Sequence, residues 1–394
     1  MCGFCGFTGE VLNREQVLHA MADRITHRGP DSDGYYMDND IAMAFRRLSI
    51  IDLGTGHQPL YNEDKTLVLT FNGEIYNYQD LRRELIAAGH IFTTERDSAV
   101  LLHGFEQWGE ELLPRLRGMF GFAIWNTVDK SLFLARDYFG IKPLHYTQLP
   151  DGRLIYASEI KSILLHPDFV KEFNEKALDN YLSFQYSVPG ETFFKGVYCL
   201  PPAHYAWFRE GRVAEHRYWE STFAPDESMT LDEAVDQIDT AFTNSVEAHR
   251  ISDVEVGCFL SGGVDSSYVA SYFKGQKAFT VGFDNGQHYN ECQFAAELAE
   301  DIGIDHYQHI ITEDEYWDAL PRVQEHLDQP LADPACVALY FVSKLAAEHV
   351  KVVLSGEGAD ELFGGYRIYH YPGGEIPGPD RGCGGRSQRR PPDA

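Results

Sequence analysis

A cysteine at position 2 places a nucleophile one residue from the start of the chain. Removal of the initiator methionine would put its thiol beside its own α-amine. An amine with a pKa of about 7.7–8.0 can take the thiol proton near neutral pH, so one residue would serve as both nucleophile and base. With Cys5 the same residue also spells CxxC, a redox or metal pair, and a buried thiol is the plainest alternative. No second CxxC completes a zinc site. Asn72-Gly73 offers a side-chain amide and a backbone N–H of the kind that hold the oxyanion of a tetrahedral intermediate, although alone the pair is a turn. Arg47 can grip a carboxylate through its forked guanidinium, and Asp97 can hold an ammonium. Read singly, these two are a surface arginine and a helix N-cap.

Two further constellations lie in the second half of the chain. Ser261-Gly262-Gly263-Val264-Asp265-Ser266-Ser267 follows an expected strand and opens an expected helix. Its glycines let a ligand approach the backbone, so N–H groups, hydroxyls and the helix N-terminus can cradle a diphosphate. It lacks the lysine of a Walker loop. Ser355-Gly356-Glu357-Gly358-Ala359-Asp360-Glu361 follows the apolar run KVVL. Carboxylates at the ends of sheet strands can hold Mg²⁺ through oxygen, and Asp265 with Asp360 would suit an ion bound to a diphosphate. A solvated acidic loop is the alternative.

The elements that must position these residues fall into two textures. KTLVLTF (65–71) alternates like a strand, a strand-to-helix corner falls at 72–77, and a helix runs to a stop at Gly89. FGFAIWN and SLFLARD flank Asp129-Lys130 as a hairpin, and a last hairpin-like stretch spans PPAHYAWFREGRVAEHRYW. Residues 1–219 therefore read as an antiparallel α+β domain with a connecting hairpin. Residues 220–229 are polar, lose periodicity and read as a linker. Thr230 and Glu233 form a capping-box pattern that opens a helix to about 249. Beyond it, strand-like runs at 255–260, 278–283, 305–311 and 350–354 alternate with helical stretches at 265–273, 291–302, 313–326 and 335–348. That is the pattern of a parallel sheet with crossover helices, an α/β nucleotide-binding domain over 230–371. Residues 372–394 are rich in Gly, Pro and Arg, read as a disordered tail, and leave the α/β domain looking incomplete.

Composition narrows the class. With 33 Lys+Arg against 60 Asp+Glu the net charge is −27, which repels a phosphate polyanion and argues against nucleic acid as a partner. No apolar run reaches the roughly 18 residues of a membrane span, and the start has no signal-peptide flank. The seven scattered cysteines suit a reducing compartment. A cytoplasmic enzyme with no membrane partner is the expectation. The 16 histidines show no clustered metal spacing and are assigned to structure.

MCGFCGF, HRGPD (27–31), RLSIID (47–52), FNGEIYN (71–77) and RDYFGIKPL (136–144) together resemble the N-terminal glutaminase domain of class II amidotransferases. The match is nearest to the glutamine-hydrolysing asparagine synthetase family, and SGGVDSS looks like the pyrophosphate loop of ATP pyrophosphatases. SGEGADE, with GGY at 364–366, is similar to the synthetase motif. The resemblance implies a layered antiparallel fold of the N-terminal-nucleophile type. In it, Cys2 attacks glutamine, Asn72 and Gly73 form the oxyanion hole, Arg47 holds the α-carboxylate, and Glu74 with Asp97 face the α-ammonium. It further implies that Leu260, Val281, Ser355 and Gly356 line the adenine nucleotide site, beside the phosphate loop, and that Glu357 supports an acyl-adenylate. ATP, Mg²⁺, glutamine and aspartate are the implied ligands, and a homodimer is compatible. Ammonia would cross an internal passage between the two sites. Ala99 departs from the family pattern, which usually has an acid there.

The resemblance covers about residues 1–371. Asparagine synthetases continue into helices that bring aspartate-binding residues and a catalytic lysine, so this chain is expected to make little or no asparagine. A stand-alone glutaminase with an inert second half, an amidotransferase for another carboxylate, and a non-enzymatic partner of complete subunits remain as alternatives.

Overall fold

The computed structural model describes residues 1–50, 57–185, 190–273, 275–284, 291–366 and 369; the tail assigned to 372–394 lies outside them. The chain begins with β1 (Gly3–Thr8), α1 (Arg14–Asp23), β2 (Ser32–Met37), β3 (Ile41–Arg47), β4 (Leu60–Tyr61), β5 (Leu67–Ile75), α2 (Tyr78–Ala88) and α3 (Asp97–Trp108). It continues through β6 (Gly118–Asn126), β7 (Ser131–Arg136), β8 (His145–Gln148), β9 (Leu154–Ala157), α4 (Ile160–Ile163), α5 (Glu175–Phe184), β10 (Val197–Cys199), β11 (His204–Arg209) and β12 (Arg212–Arg217). The second half holds α6 (Leu231–His249), β13 (Val256–Phe259), α7 (Val264–Phe273), β14 (Lys277–Phe283), α8 (Cys292–Ile302) and β15 (Asp305–Ile311). It closes with α9 (Glu313–Leu327), α10 (Ala335–Ala347), β16 (Val352–Leu354) and α11 (Ala359–Phe363).

Two six-stranded sheets form the first half, in the orders β10-β8-β9-β1-β3-β2 and β12-β11-β7-β6-β5-β4, with antiparallel pairing between neighbouring strands. Side chains alternate across each strand, so each sheet has two faces to bury. Phe4, Phe45 and Tyr156 from one sheet meet Val68, Trp125 and Leu134 from the other in the central layer. On the outer face of the second sheet, Leu69, Phe71, Phe122 and Phe133 pack against Leu81 and Leu85 of α2 and Leu101 and Phe105 of α3. Cys5, Phe7 and Ala44 on the opposite outer face pack against Leu18 and Met21 of α1 and Ile160 of α4. Helix, sheet, sheet and helix thus form four layers. Because both faces of the inner strands are covered, they read as nearly continuous apolar runs.

The α2 helix stops at Gly89, whose φ of 106° lies in the left-handed region and lets its N–H reach back into the last turn. No helix or strand falls between Arg217 and Leu231, and α6 opens with the Thr230–Glu233 capping box fully formed. Beyond it, β15-β14-β13-β16 form a parallel sheet. Val246, Ala270 and Ala295 from α6, α7 and α8 cover one face, and Val342 and Ala346 of α10 cover the other. The strand-and-crossover alternation expected from residue 255 onward is the observed architecture. No helix of the described residues is long and apolar enough to cross a membrane.

The two halves touch along one side. Lys161 pairs with Asp328 (3.0 Å), Arg24 with Glu325 (2.9 Å), and Lys351 with Asp31 (2.6 Å).

Candidate functional site

Cys2 precedes β1 by one residue, and the ladder between β1 and β3 carries it toward Arg47 and Leu48. The Leu48 backbone fixes the thiol from both sides: its N–H lies 3.4 Å from Sγ, and its carbonyl is within 3.6 Å to accept the S–H. A cleft beside the sulfur is lined by Cys2, Arg47, Gly73, Glu74, Arg96 and Asp97, together with Leu48, Ile50, Gln58 and Ser98. Five residues singled out from the sequence therefore meet in one cavity, brought there from four separate segments. Ala99 is buried on the first turn of α3, next to Ser98.

Asn72 and Gly73 sit inside β5 and not at its end, because pairing with β6 continues through Ile75 to Gly118. The strand-to-helix corner is accordingly shorter than expected, at residues 76–77. Asn72 is buried, and its amide nitrogen has no hydrogen-bond partner among the described residues. An orphaned buried donor costs on the order of 1–3 kcal/mol unless something completes it. A Cβ at Gly73 would lie 2.1 Å from the Met119 carbonyl oxygen and 2.8 Å from Phe120 Cα, so only glycine fits between the strands.

Electrostatics set the character of the cleft. Burial, reinforced by the neighbouring Asp97 charge, pushes the Glu74 carboxyl well above its ordinary range. Burial likewise pushes Asp97 up to about 6, although its carboxylate accepts the N–H groups of Ile75 (3.1 Å) and Ser98 (2.7 Å). Desolvation also raises the Cys2 thiol, so at rest it holds its proton. The terminal amine of Met1 moves the other way, down to about 6, because burial disfavours its charged form.

The sequence motifs contained supports whose roles composition and spacing did not reveal. Arg28, from HRGPD, donates to the Cys2 carbonyl (2.9 Å) and to Glu159 (2.7 Å). Glu159 also takes His27 (3.0 Å) and Lys161 (2.6 Å). Burial opposes ionisation there, yet the His27 hydrogen bond and the Arg28 charge hold its carboxyl far below the usual range. Asp137, from RDYFGIKPL, collects the N–H groups of Phe120, Phe139, Ile141 and Lys142. That brings the Lys142 ammonium to within 3.2 Å of Met1 Sδ. Arg28 and Glu159 are 131 residues apart, a separation no local pattern encodes. Cys5 lies in the core under α1, so it makes no CxxC pair with Cys2 at the cleft.

The second constellation collects at the C-terminal ends of neighbouring parallel strands, β13 and β16. Ser261 N–H donates to Ser266 Oγ (3.0 Å), the two hydroxyls are 2.8 Å apart, and Ser267 Oγ donates to the Gly263 carbonyl (2.7 Å). Gly262 N–H donates to the Glu291 carboxylate at 3.2 Å, so the loop already presents a donor to an anionic oxygen. Leu260 is buried under the loop, Val281 is half-buried in β14, and Asp265 lies in the first turn of α7. A Cβ on Gly356 would meet Asp265 and Ser266 backbone atoms at 2.9 Å, so the loop carrying Ser355, Gly356 and Glu357 rests on the start of α7. Glu357 is exposed, and Asp360 lies in the first turn of α11.

Residues 1–219 match the glutamine amidotransferase domain family and residues 237–381 match asparagine synthase. Asparagine synthetase [glutamine-hydrolyzing] 1 of Bacillus subtilis (strain 168) is 44% identical over 94% of this chain and 60% of its own length. Asparagine synthetase B [glutamine-hydrolyzing] of Escherichia coli (strain K12) is 32% identical over 94% of this chain and 65% of its own. The chain thus spans about three-fifths of the length of these relatives. Among solved structures, the glutamine phosphoribosylpyrophosphate amidotransferase of B. subtilis aligns with a TM-score of 0.41 and 16% identity, over 78% of this chain and 65% of that one. The cleft around Cys2 lies wholly within the first matched segment, which exceeds half the chain: this protein belongs to the glutamine amidotransferase domain family, and its residues 237–381 are similar to asparagine synthase.

Proposed function

We propose that the Cys2 cleft hydrolyses L-glutamine and that the second half is of the kind that uses the ammonia to convert L-aspartate to L-asparagine at the expense of ATP, a second step for which the sequence leads us to expect little turnover by this chain alone. The observation that carries this reading is the convergence of Cys2, Arg47, Gly73, Glu74 and Asp97 on one cavity. Arg47 would pair with the substrate α-carboxylate, and Glu74 with Asp97 would take its α-ammonium. Two carboxyls pushed upward by burial and by each other gain most from a cation placed between them.

With Met1 removed, the Cys2 amine would stand close to the place where burial, with Arg28 and Lys142 nearby, lowers the Met1 amine. It would accept the thiol proton as sulfur adds to the glutamine amide carbon. The oxyanion would draw on the unpartnered Asn72 amide and the Gly73 backbone. The amine then returns the proton to the departing nitrogen, ammonia leaves, and water cleaves the γ-glutamyl thioester to glutamate and free thiol.

In the second half, the aspartate β-carboxylate would attack the α-phosphorus of ATP and expel diphosphate. Ammonia would then displace AMP from the aspartyl-adenylate. Leu260, Val281, Ser355 and Gly356 would surround the adenine nucleotide. Ser261, Gly262, Gly263, Ser266 and Ser267 would meet its phosphates, and Glu357 would face the acyl-adenylate. Two carboxylates, Asp265 and Asp360, suit Mg²⁺, which commonly takes one or two protein carboxylates and completes its shell from phosphate and water. The ion would offset phosphate charge.

The test measures glutamate release, aspartate-dependent diphosphate release and asparagine formation by the purified chain and by Cys2→Ala. Glutamate release lost in the variant supports the first site, and its persistence overturns it. Glutamine hydrolysis without aspartate-dependent diphosphate favours a glutaminase whose second half is inert.

A further inference from the structure

Beyond α3, away from the Cys2 cleft, four side chains from three segments converge. Glu63 follows β4, His90 follows the stop of α2, and His103 and Glu106 lie one turn apart on α3. One ligand atom from each lies within 4.8 Å of all the others. The two histidines lie 13 positions apart, which is no recognisable metal-ligand spacing, so the sequence by itself assigns them to structure.

His103 is only 5% exposed. Its Nδ1 lies 3.1 Å from a Glu63 oxygen and 3.5 Å from a Glu106 oxygen, yet it makes a hydrogen bond with neither. A buried imidazole nitrogen that faces two carboxylates without bonding to either is oriented toward the space among them. His90 Nδ1 stands 3.7 Å from both carboxylates. Its Nε2 is 3.0 Å from Gln107 Oε1, an acceptor, which assigns the ring hydrogen to Nε2 and leaves a lone pair on Nδ1.

The carboxylates are held as well. Ile91 N–H donates to Glu63 (3.0 Å) and Asn62 Nδ2 to Glu106 (3.2 Å). Partners of this kind orient metal-ligating side chains. Four donors bonded tetrahedrally at about 2.0–2.1 Å lie about 3.3–3.4 Å from one another. The nitrogen–oxygen separations of 3.1, 3.5, 3.7 and 3.7 Å draw on both Glu63 oxygens, and one donor atom from each residue fits within 4.8 Å, so the four would close in slightly around an ion.

We propose that Glu63, His90, His103 and Glu106 form a structural site for a divalent transition-metal ion, with Zn²⁺ the best match to its two imidazoles and two carboxylates. Mg²⁺ and Ca²⁺ prefer all-oxygen shells. Four protein ligands leave no open position, which is the arrangement of a structural and not a catalytic centre. The ion would pin the segment after β4 and the α2–α3 connection to α3, whose first residue is Asp97 in the cleft.

The full-length chain, prepared without a histidine tag, is loaded with Zn²⁺, freed of excess ion and assayed for metal by mass spectrometry. Affinity is measured by competition with a chromophoric chelator, and thermal unfolding is followed with and without EDTA. The expected result is one equivalent per chain, and a fall in Tm of about 5 °C or more on chelation that Zn²⁺ reverses and Mg²⁺ does not. The His90→Ala/Glu106→Gln double variant should bind at least about 100-fold more weakly. Gln107→Ala, at an exposed position whose loss leaves packing intact, should lose roughly 10–100-fold. Less than a tenth of an equivalent in the loaded chain overturns the site, as ordinary ion pairing alone would predict. Equal affinity in the parent chain and Gln107→Ala or the double variant overturns it too, because the metal would then be bound elsewhere.

Discussion

The Cys2 cleft and the phosphate-type loop of the second half are built on opposite plans. In the cleft Asp97 is buried and two carboxyls are displaced upward, and beside the lining residue Gly73 the buried Asn72 amide lacks a partner among the described residues. The cost of desolvation is already incurred in the folded chain, and a zwitterionic substrate would relieve it. In the loop, Ser261 and Ser266 bond to each other, Ser267 donates to the Gly263 carbonyl, and Gly262 N–H is occupied by Glu291. There a ligand must displace existing hydrogen bonds. The difference teaches that the first site is organised by burial and the second by exchange of partners.

The largest effect that would sharpen this comparison is at the nucleophile. Cys2→Ala is expected to lower glutamine hydrolysis by on the order of 10⁴-fold or more, measured as glutamate release. Next comes the orphaned amide: Asn72→Ala should cut kcat by about 10²–10³-fold with a smaller change in KM. An unchanged kcat would break the contrast, because the unpartnered donor would then have no task.

The carboxylate pair gives a pH signature. Protonation of Asp97 removes the charge that attracts an ammonium, so KM for glutamine should fall as pH rises through about 6, the value to which burial pushes this group. Asp97→Asn should flatten that dependence and raise KM by roughly 10–100-fold, as expected for loss of a charged hydrogen bond. A KM profile that rises over the same window would refute the assignment.

The smallest effect is at the seam between the halves. Asp31 accepts the Ser49 N–H (2.8 Å) and pairs with Lys351 (2.6 Å), while the Ile50 carbonyl accepts Asp253 N–H (3.1 Å). Ile50, which lines the cleft, is therefore tied to the second half. Lys351→Ala should change stability by no more than about 1 kcal/mol, since the pair is partly exposed. A shift of glutamine KM of about two- to threefold, read in the same preparation, would mark transmission across the seam.

Much of this arrangement is legible in the amino-acid sequence. The hairpin around Asp129-Lys130, the capped start of α6 and the strand–helix alternation beyond residue 255 are written in short-range patterns, and all appear in the structure. The residues that meet at the cleft came partly from chemistry and partly from resemblance. What stayed hidden depends on sheet topology. Arg28 reaches Glu159 across 131 residues because β1 lies between β3 and β9, and His90 meets His103 only because α2 packs on α3. The strand-interior position of Asn72 was also hidden, since its pairing partner Gly121 comes from the following hairpin.

Gly73 limits how this cleft can be redesigned. With the Met119 carbonyl at 2.1 Å from any added Cβ, its side of the pocket is a fixed wall, and enlarging that residue would force β5 and β6 apart. An engineer seeking to admit a bulkier amide would have to work on the other lining residues, among which Ile50, Gln58 and Arg96 supply side chains that can be shortened. One wall of the cleft is thus set by main chain, and the adjustable part of its lining by side chains.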